Sequence, residues 1–125
     1  MQFTFPGNQK LKSNKDITEL FNSGDSLYYP PVRAKYLISI EKSTPPVLAG
    51  FSVSKKLFKS AVKRNLLKRR LREAYRLNKQ DLFNQAAERE RKILLIFIYN
   101  SSQIITFRDI EVSVREILAR LKDKF

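Results

Sequence analysis

The chain has 125 residues, of which 42% are hydrophobic, and its 25 basic and 12 acidic residues give a net charge of +13. This length supports one compact core and is short for two, so we predict a single domain over residues 1–125. The sequence has no cysteine and no histidine, which excludes disulfides and thiolate metal sites and removes the commonest general base at neutral pH. Such dense positive charge opposes compaction unless a polyanion supplies the counter-charge, which favours nucleic acid first and an anionic membrane surface second.

The first ten residues are not expected to form a signal peptide. Residues 1–10 lack the basic region and apolar run of a signal peptide, and we predict an irregular or extended arm there. The most apolar stretch, residues 93–99, is far shorter than the roughly 20 residues that a membrane helix needs. We therefore expect a soluble, cytoplasmic protein.

A short helix is the first predicted element. Ser13 and Asp16 have the spacing of a capping box, and Gly24 is well placed to end the helix that they begin. Residues 28–31 then predict a break, because Pro30 and Pro31 can neither continue a helix nor occupy a central strand.

Two strands are predicted next. Residues 32–41 alternate between apolar and polar side chains, which is typical of a half-buried strand. The turn at residues 43–46 is short, so a second strand at residues 47–54 is expected to run antiparallel to the first.

The second half of the chain predicts two further helices and one strand. Ser60 is an N-cap for a helix over residues 61–76 or slightly beyond. Residues 79–91 are polar and fit a helical extension followed by a loop, and residues 92–99 are a nearly continuous apolar run that predicts a buried strand. Thr106 and Asp109 form another capping box before the last helix. The order α-β-β-α-β-α predicts an α+β fold, a two-layer sandwich of a small sheet with helices.

The positive charge is concentrated in residues 55–76, which hold ten basic residues and one acid and therefore nine of the thirteen net charges. On a helical wheel, one arc of about 140° collects the polar side chains of residues 61–76. Its members are Arg64, Asn65, Lys68, Arg69, Arg72 and Arg76. The remaining arc, available for the core, holds Val62, Leu66, Leu67, Leu71 and Ala74, and is interrupted by Lys63 and Arg70.

Cations crowded on one helix face repel one another, which destabilises the helix. A bound array of phosphates would neutralise these charges and make their crowding favourable. Two other interpretations are a solvated charged face and a helix lying on a membrane surface. The charges here have one sign rather than two, and the apolar residues of this helix are needed for the core. The pattern therefore predicts a nucleic-acid-binding protein.

Two segments resemble a known family. Residues 50–56, Gly-Phe-Ser-Val-Ser-Lys-Lys, precede residues 61–72, Ala-Val-Lys-Arg-Asn-Leu-Leu-Lys-Arg-Arg-Leu-Arg. Together they resemble the signature of the bacterial ribonuclease P protein subunit, and residues 11–13, Phe21 and Gly24 are similar to its first helix. Two departures are Leu66, where the family often has another arginine, and residues 57–59, where this sequence is one residue longer.

The resemblance implies a fold with a left-handed βαβ crossover and two RNA-binding surfaces. The first would bind the catalytic RNA through Lys55, Lys56, Arg64, Asn65, Lys68, Arg69, Arg72 and Arg76. The second would be a cleft between the first helix and the sheet that holds the 5′ leader of precursor tRNA. By position, Ile17, Phe21, Tyr36 and Phe51 would line it, although ordinary core packing is an equally good interpretation of these four.

No residue set in the sequence predicts catalysis by the protein itself, because its acids are scattered and it lacks histidine. We predict no catalytic residues and no protein metal site. The resemblance implies a hydrolase in which RNA supplies the active site and holds Mg²⁺: ribonuclease P, a ribonucleoprotein endonuclease of tRNA processing, with RNase P RNA and precursor tRNA as partners. A plain RNA- or DNA-binding module and an independent nuclease are the two alternatives.

Overall fold

A computed structural model describes residues 4–125, so the first three residues of the predicted arm lie outside the described part. In chain order the elements are a 3-10 turn Gly7–Gln9, α1 Asn14–Ser23, β1 Asp25–Tyr29, β2 Val32–Ile40, β3 Val47–Val53, α2 Ala61–Asn78, α3 Gln80–Glu88, β4 Arg91–Tyr99 and α4 Phe107–Lys122. None of the helices in residues 4–125 is long and apolar enough to cross a membrane. The α+β class and the predicted order are confirmed, with β1 and α3 as additional elements.

The four strands form one mixed sheet in the order β1-β2-β4-β3. β2 pairs antiparallel with β1 and with β4, whereas β3 pairs parallel with β4. β2 and β3 therefore run in opposite directions, as predicted, but they are not neighbours, because β4 lies between them. The connection from β3 through α2 and α3 to β4 is a βαβ unit.

All three predicted helix starts are confirmed by their caps. The hydroxyl oxygens of Ser13, Ser60 and Thr106 each accept a hydrogen bond from the backbone N–H three residues later. These bonds satisfy donors that the first turn of a helix leaves free. Gly24 ends α1 as predicted, and its N–H donates to the Leu20 carbonyl at 2.8 Å.

Different helices pack on the two faces of the sheet. Ala34 and Tyr36 of β2, and Leu95 and Phe97 of β4, point into the main core, which α2, α3 and α4 complete. Because side chains alternate along a strand, the residues between them face the other way. Leu94 of β4 and Leu20 of α1 are buried outside the main core, so α1 packs on this second face.

Three local predictions are corrected by the structure. The residues just before Pro30 form the edge strand β1 rather than a break, because they pair with β2 along its free side. Residues 80–88 form a separate helix, α3. Val62, expected to be available for the core, is 79% exposed because it lies on the outer side of α2.

Candidate nucleic-acid interface

The outer side of α2 is cationic and open to solvent. Leu67, Leu71, Ala74 and Tyr75 bury the inner side of this helix. On the opposite side Asn65, Arg69 and Arg72 are exposed, and Lys68 is half-buried beside them. Among residues 4–125, no carboxylate forms an ion pair with Lys68, Arg69 or Arg72. We call Asn65, Lys68, Arg69, Arg72 and Arg76 the α2 cationic face.

Two arginines of α2 bond to the protein's own backbone. The Arg64 guanidinium donates to the carbonyls of Phe58 and Lys59 at 2.8 and 2.9 Å, which joins α2 to the segment that precedes it. The Arg70 guanidinium donates to the Ile105 carbonyl at 2.6 Å and joins α2 to the segment before α4. Arg64 was predicted to contact RNA with the rest of the arc, and the structure gives it this additional structural bond.

Arg76 lies at the end of the α2 cationic face beside the one acid of the segment. Its guanidinium forms an ion pair with Glu73 at 2.5 Å. The hydrogen bond from Arg76 lowers the pKa of the Glu73 carboxyl below its ordinary value. The pair is partly exposed, so solvent screens it and the local positive field is reduced rather than removed.

Lys55 and Lys56 extend the positive charge beyond α2. Both are exposed in the turn that follows β3, where the Lys56 N–H donates to the Ser54 hydroxyl at 3.0 Å. The same segment is anchored by Phe58, which is buried with its ring 6.0 Å from that of Tyr99. These contacts therefore fix the path of the backbone from the turn into α2.

The predicted leader cleft residues divide between the two faces of the sheet. Ile17 is half-buried on α1, and Phe21 of α1 is 45% exposed. Tyr36 and Phe51 lie on the opposite face, in or against the main core. The Phe51 ring stacks on Phe97 with centroids 5.8 Å apart. Burial, and secondarily the charge of Asp25, raises the pKa of the Tyr36 phenol above its ordinary value.

Lys35 is the residue of the α1 side that sequence reasoning missed. Its ammonium lies 5.6 Å from the centre of the Phe21 ring and donates to the Phe21 carbonyl at 3.4 Å. The signal was available, because the alternation of β2 places Lys35 opposite Tyr36. We call Phe21 and Lys35 the α1 pair.

The acids of the described segment do not gather into a metal-binding group: no cluster of three or more Asp or Glu residues in residues 4–125 could hold a metal ion. Mg²⁺ in phosphate chemistry is usually held by one or two carboxylates together with waters and phosphate oxygens. The described residues therefore form no metal site made of protein groups alone.

Comparison with known proteins identifies the family of this chain. The sequence profile of the family described as Ribonuclease P matches residues 5–122. The chain is also 33% identical over 119 residues to the ribonuclease P protein component of Porphyromonas gingivalis, covering 95% of this chain and 87% of that protein. This chain belongs to the ribonuclease P protein family.

Solved structures of ribonuclease P proteins have the same fold. The Staphylococcus aureus protein superimposes with a TM-score of 0.69 at 24% identity, covering 91% of this chain and 95% of that one. The Thermotoga maritima protein gives a TM-score of 0.68 at 21% identity, covering 89% and 96%. The mixed sheet with β4 inserted is therefore the ribonuclease P protein fold, which the resemblance in sequence had implied.

Proposed function

We propose that this chain is the protein subunit of the ribonucleoprotein enzyme ribonuclease P and promotes maturation of the 5′ ends of tRNA. In this proposal the catalytic RNA docks on the α2 cationic face together with Lys55 and Lys56. Membership of the family supports the subunit role. The single observation that carries the RNA interface is the row formed by the exposed Arg69 and Arg72 and the half-buried Lys68, which has no carboxylate partner in residues 4–125.

The chemistry of these side chains suits a phosphate backbone. A guanidinium donates two parallel hydrogen bonds to phosphate oxygens, and a lysine adds a compact positive charge. Each phosphate that is neutralised releases condensed counterions, so binding weakens as salt increases. Asn65 lies among these cations, where its amide can reach a base edge or a ribose hydroxyl.

The 5′ leader of precursor tRNA occupies the α1 side of the sheet in this proposal. The half-exposed Phe21 ring offers a face on which an unpaired base can stack, and stacking of this kind tolerates any sequence. Lys35 beside it attracts the phosphates of the same strand. Tyr36 and Phe51 contribute to the core that supports this surface rather than to the surface itself.

Catalysis is assigned to the RNA in this proposal. Its active site and the substrate hold the Mg²⁺ ions, which stabilise charge on the attacking and leaving oxygens when bound. The protein's part is to bind substrate and to lower the repulsion between two polyanions.

Reconstitution tests this function. The purified chain is mixed with a bacterial ribonuclease P RNA at a Mg²⁺ concentration where the RNA alone is slow, and cleavage of precursor tRNA is measured. We expect cleavage at the mature 5′ end to be restored. Replacing Arg69 and Arg72 together with Ala should weaken RNA binding and reduce the salt slope by about one unit per lost phosphate contact.

A charge-matched control is Lys42→Ala with Lys124→Ala, since both lysines are exposed and lie outside α2. This variant should retain nearly wild-type binding. A wild-type chain that leaves cleavage by the RNA unchanged would exclude the subunit role. Cleavage by the protein without any RNA partner would instead favour an independent nuclease.

A further inference from the structure

The structure has a cavity lined by residues outside the segment 55–76 that carries the proposed RNA interface. It has a volume of about 560 Å³ and opens between the β1–β2 turn, the segment before α4 and the first turns of α4. Tyr28, Tyr29 and Pro31 form one wall, and Ile105 and Val112 form another. Asn100 and Asp109 supply polar groups at the same cavity.

Hydrogen bonds fix the walls of this cavity. The buried Ser113 hydroxyl donates to the Pro30 carbonyl at 2.7 Å and ties the β1–β2 turn to α4. The Asn100 N–H donates to the Pro31 carbonyl at 2.8 Å. Tyr99 braces the other wall, because its hydroxyl accepts from the Ile105 N–H at 2.9 Å. A cavity whose walls are held in this way is largely formed before a ligand arrives.

Arg70 connects this cavity to α2. Its guanidinium donates to the Ile105 carbonyl at 2.6 Å, so a wall of the cavity is bonded to the helix that carries the α2 cationic face. An RNA molecule docked on α2 would therefore lie near a preformed cavity, because Arg70 of α2 bonds to Ile105 in the cavity wall.

The lining has the groups that recognise an unpaired base. The Tyr28 ring is 47% exposed and can stack on a flat aromatic ligand. The carboxylate of Asp109 and the amide of Asn100 have no side-chain hydrogen bond within residues 4–125. A guanidinium lies over each tyrosine ring. Arg33 is 5.7 Å from the centre of the Tyr28 ring, and Arg120 is 5.3 Å from that of Tyr29.

We propose that this cavity binds an unpaired guanine of an RNA strand. Guanine presents two neighbouring N–H donors on its Watson–Crick edge, and the two oxygens of one carboxylate, here that of Asp109, can accept both. The Tyr28 ring stacks on the base, and the Arg33 guanidinium attracts the phosphate attached to it. The proposal deepens the proposed function, since it rests on an RNA partner and names a base that this partner supplies.

Titration with mononucleotides tests this site without any RNA partner. Backbone amide resonances of the full chain are followed by NMR while GMP, AMP, CMP or inorganic phosphate is added. GMP should shift the amides of Tyr28, Tyr29 and residues 100–105 and 109–113, and it should bind about tenfold more tightly than AMP. Asp109→Asn should abolish the preference for GMP, and Tyr28→Leu should weaken binding of every base.

The control for charge is Asp123→Asn, which removes an exposed acid at the other end of α4 and should leave GMP binding unchanged. Shifts confined to α2 that inorganic phosphate reproduces would overturn the base site. Equal affinity for GMP and AMP, or a preference that survives Asp109→Asn, would also overturn it. These outcomes are independent of reconstitution, which alone decides whether the chain serves as the ribonuclease P subunit.

Discussion

Lys35 and Tyr36 are neighbours on β2, and their side chains point to opposite faces of the sheet. The alternating sequence of β2 could predict which residues share a face. It could not predict which face α1 would cover, because that depends on packing between segments distant in the sequence. The family resemblance implies a place in the leader cleft for Tyr36, whereas the structure buries its side chain in the main core and places Lys35 on the α1 side.

The α1 pair gives a prediction about substrate binding. Phe21→Ala should weaken binding of precursor tRNA with a 5′ leader by about 1–3 kcal/mol, because one stacking face is lost. Binding of mature tRNA without a leader should not change. Both affinities are measured with the reconstituted complex. Tyr36→Ala is the contrasting variant: it should lower stability by about 3 kcal/mol or more through the loss of core packing. Equal weakening of both substrates by Phe21→Ala would contradict the leader surface.

Tyr75 is a second residue whose contribution to the stability of the fold can be measured with a single substitution. Its ring packs between Phe51 and Phe97 and is fully buried, and its hydroxyl has no hydrogen-bond partner within residues 4–125. An unpaired buried hydroxyl has lost its hydration without compensation. Burial also raises the pKa of the Tyr75 phenol well above its ordinary value.

Tyr75→Phe should therefore stabilise the protein by about 1 kcal/mol at neutral pH. The raised pKa adds a dependence on pH with a definite sign. The folded state holds the phenol proton more tightly than the unfolded state, so this contribution is complete below about pH 10 and is lost as pH rises further. Urea unfolding of both proteins from neutral pH to about pH 11 should show the wild type losing more stability. If the free energies of unfolding of both proteins fall equally as pH rises, the Tyr75 phenol does not contribute to the pH dependence.

At the scale of single elements, the helix starts were predictable because their signals are local. Each cap is a hydroxyl that bonds an N–H three residues later, and the residues that decide it are adjacent in sequence. β1 and the position of β4 were not predictable in this way. β1 forms only because β2 offers a free edge, and β4 enters the sheet between two strands that precede it in the chain.

The Ser60 cap allows a test at this scale. Its hydroxyl accepts the Lys63 N–H at 3.3 Å at the start of α2. Ser60→Ala should lower the free energy of unfolding by about 1 kcal/mol, because a helix donor loses its partner. Ser102→Ala is a suitable control, since Ser102 is exposed in a loop. If chemical denaturation gives the same midpoint for both variants, the cap does not stabilise α2.

Over the whole molecule, the net charge of +13 is compensated by few internal ion pairs. The ion pairs within residues 4–125 are Arg76 with Glu73, Arg120 with Glu116 and Lys122 with Asp81, and each joins partly exposed groups. The free protein therefore carries a repulsive electrostatic energy that a bound polyanion would relieve. The excess of positive charge could be predicted fully from the sequence, because net charge does not depend on the fold.

This repulsion predicts that salt stabilises the free protein. Raising NaCl from about 0.05 M to 0.5 M shortens the screening length and should increase the midpoint of thermal unfolding by roughly 3 °C or more. Replacing Arg69 and Arg72 with Gln should raise the midpoint at low salt and reduce its salt dependence. The matched variant, Lys42→Gln with Lys124→Gln, should have a smaller effect because those lysines lie outside the crowded segment. A midpoint that falls with salt would contradict the repulsion.

The insertion of β4 between β2 and β3 has a consequence for the biosynthesis of this protein. A nascent chain that has not yet emerged as far as residue 91 contains β2, β3 and all of α2, but it lacks the strand that joins them. The most basic helix of the protein is therefore translated before the sheet that supports it can close. Until β4 arrives, the inner side of α2 lacks the completed sheet that covers it in the folded protein.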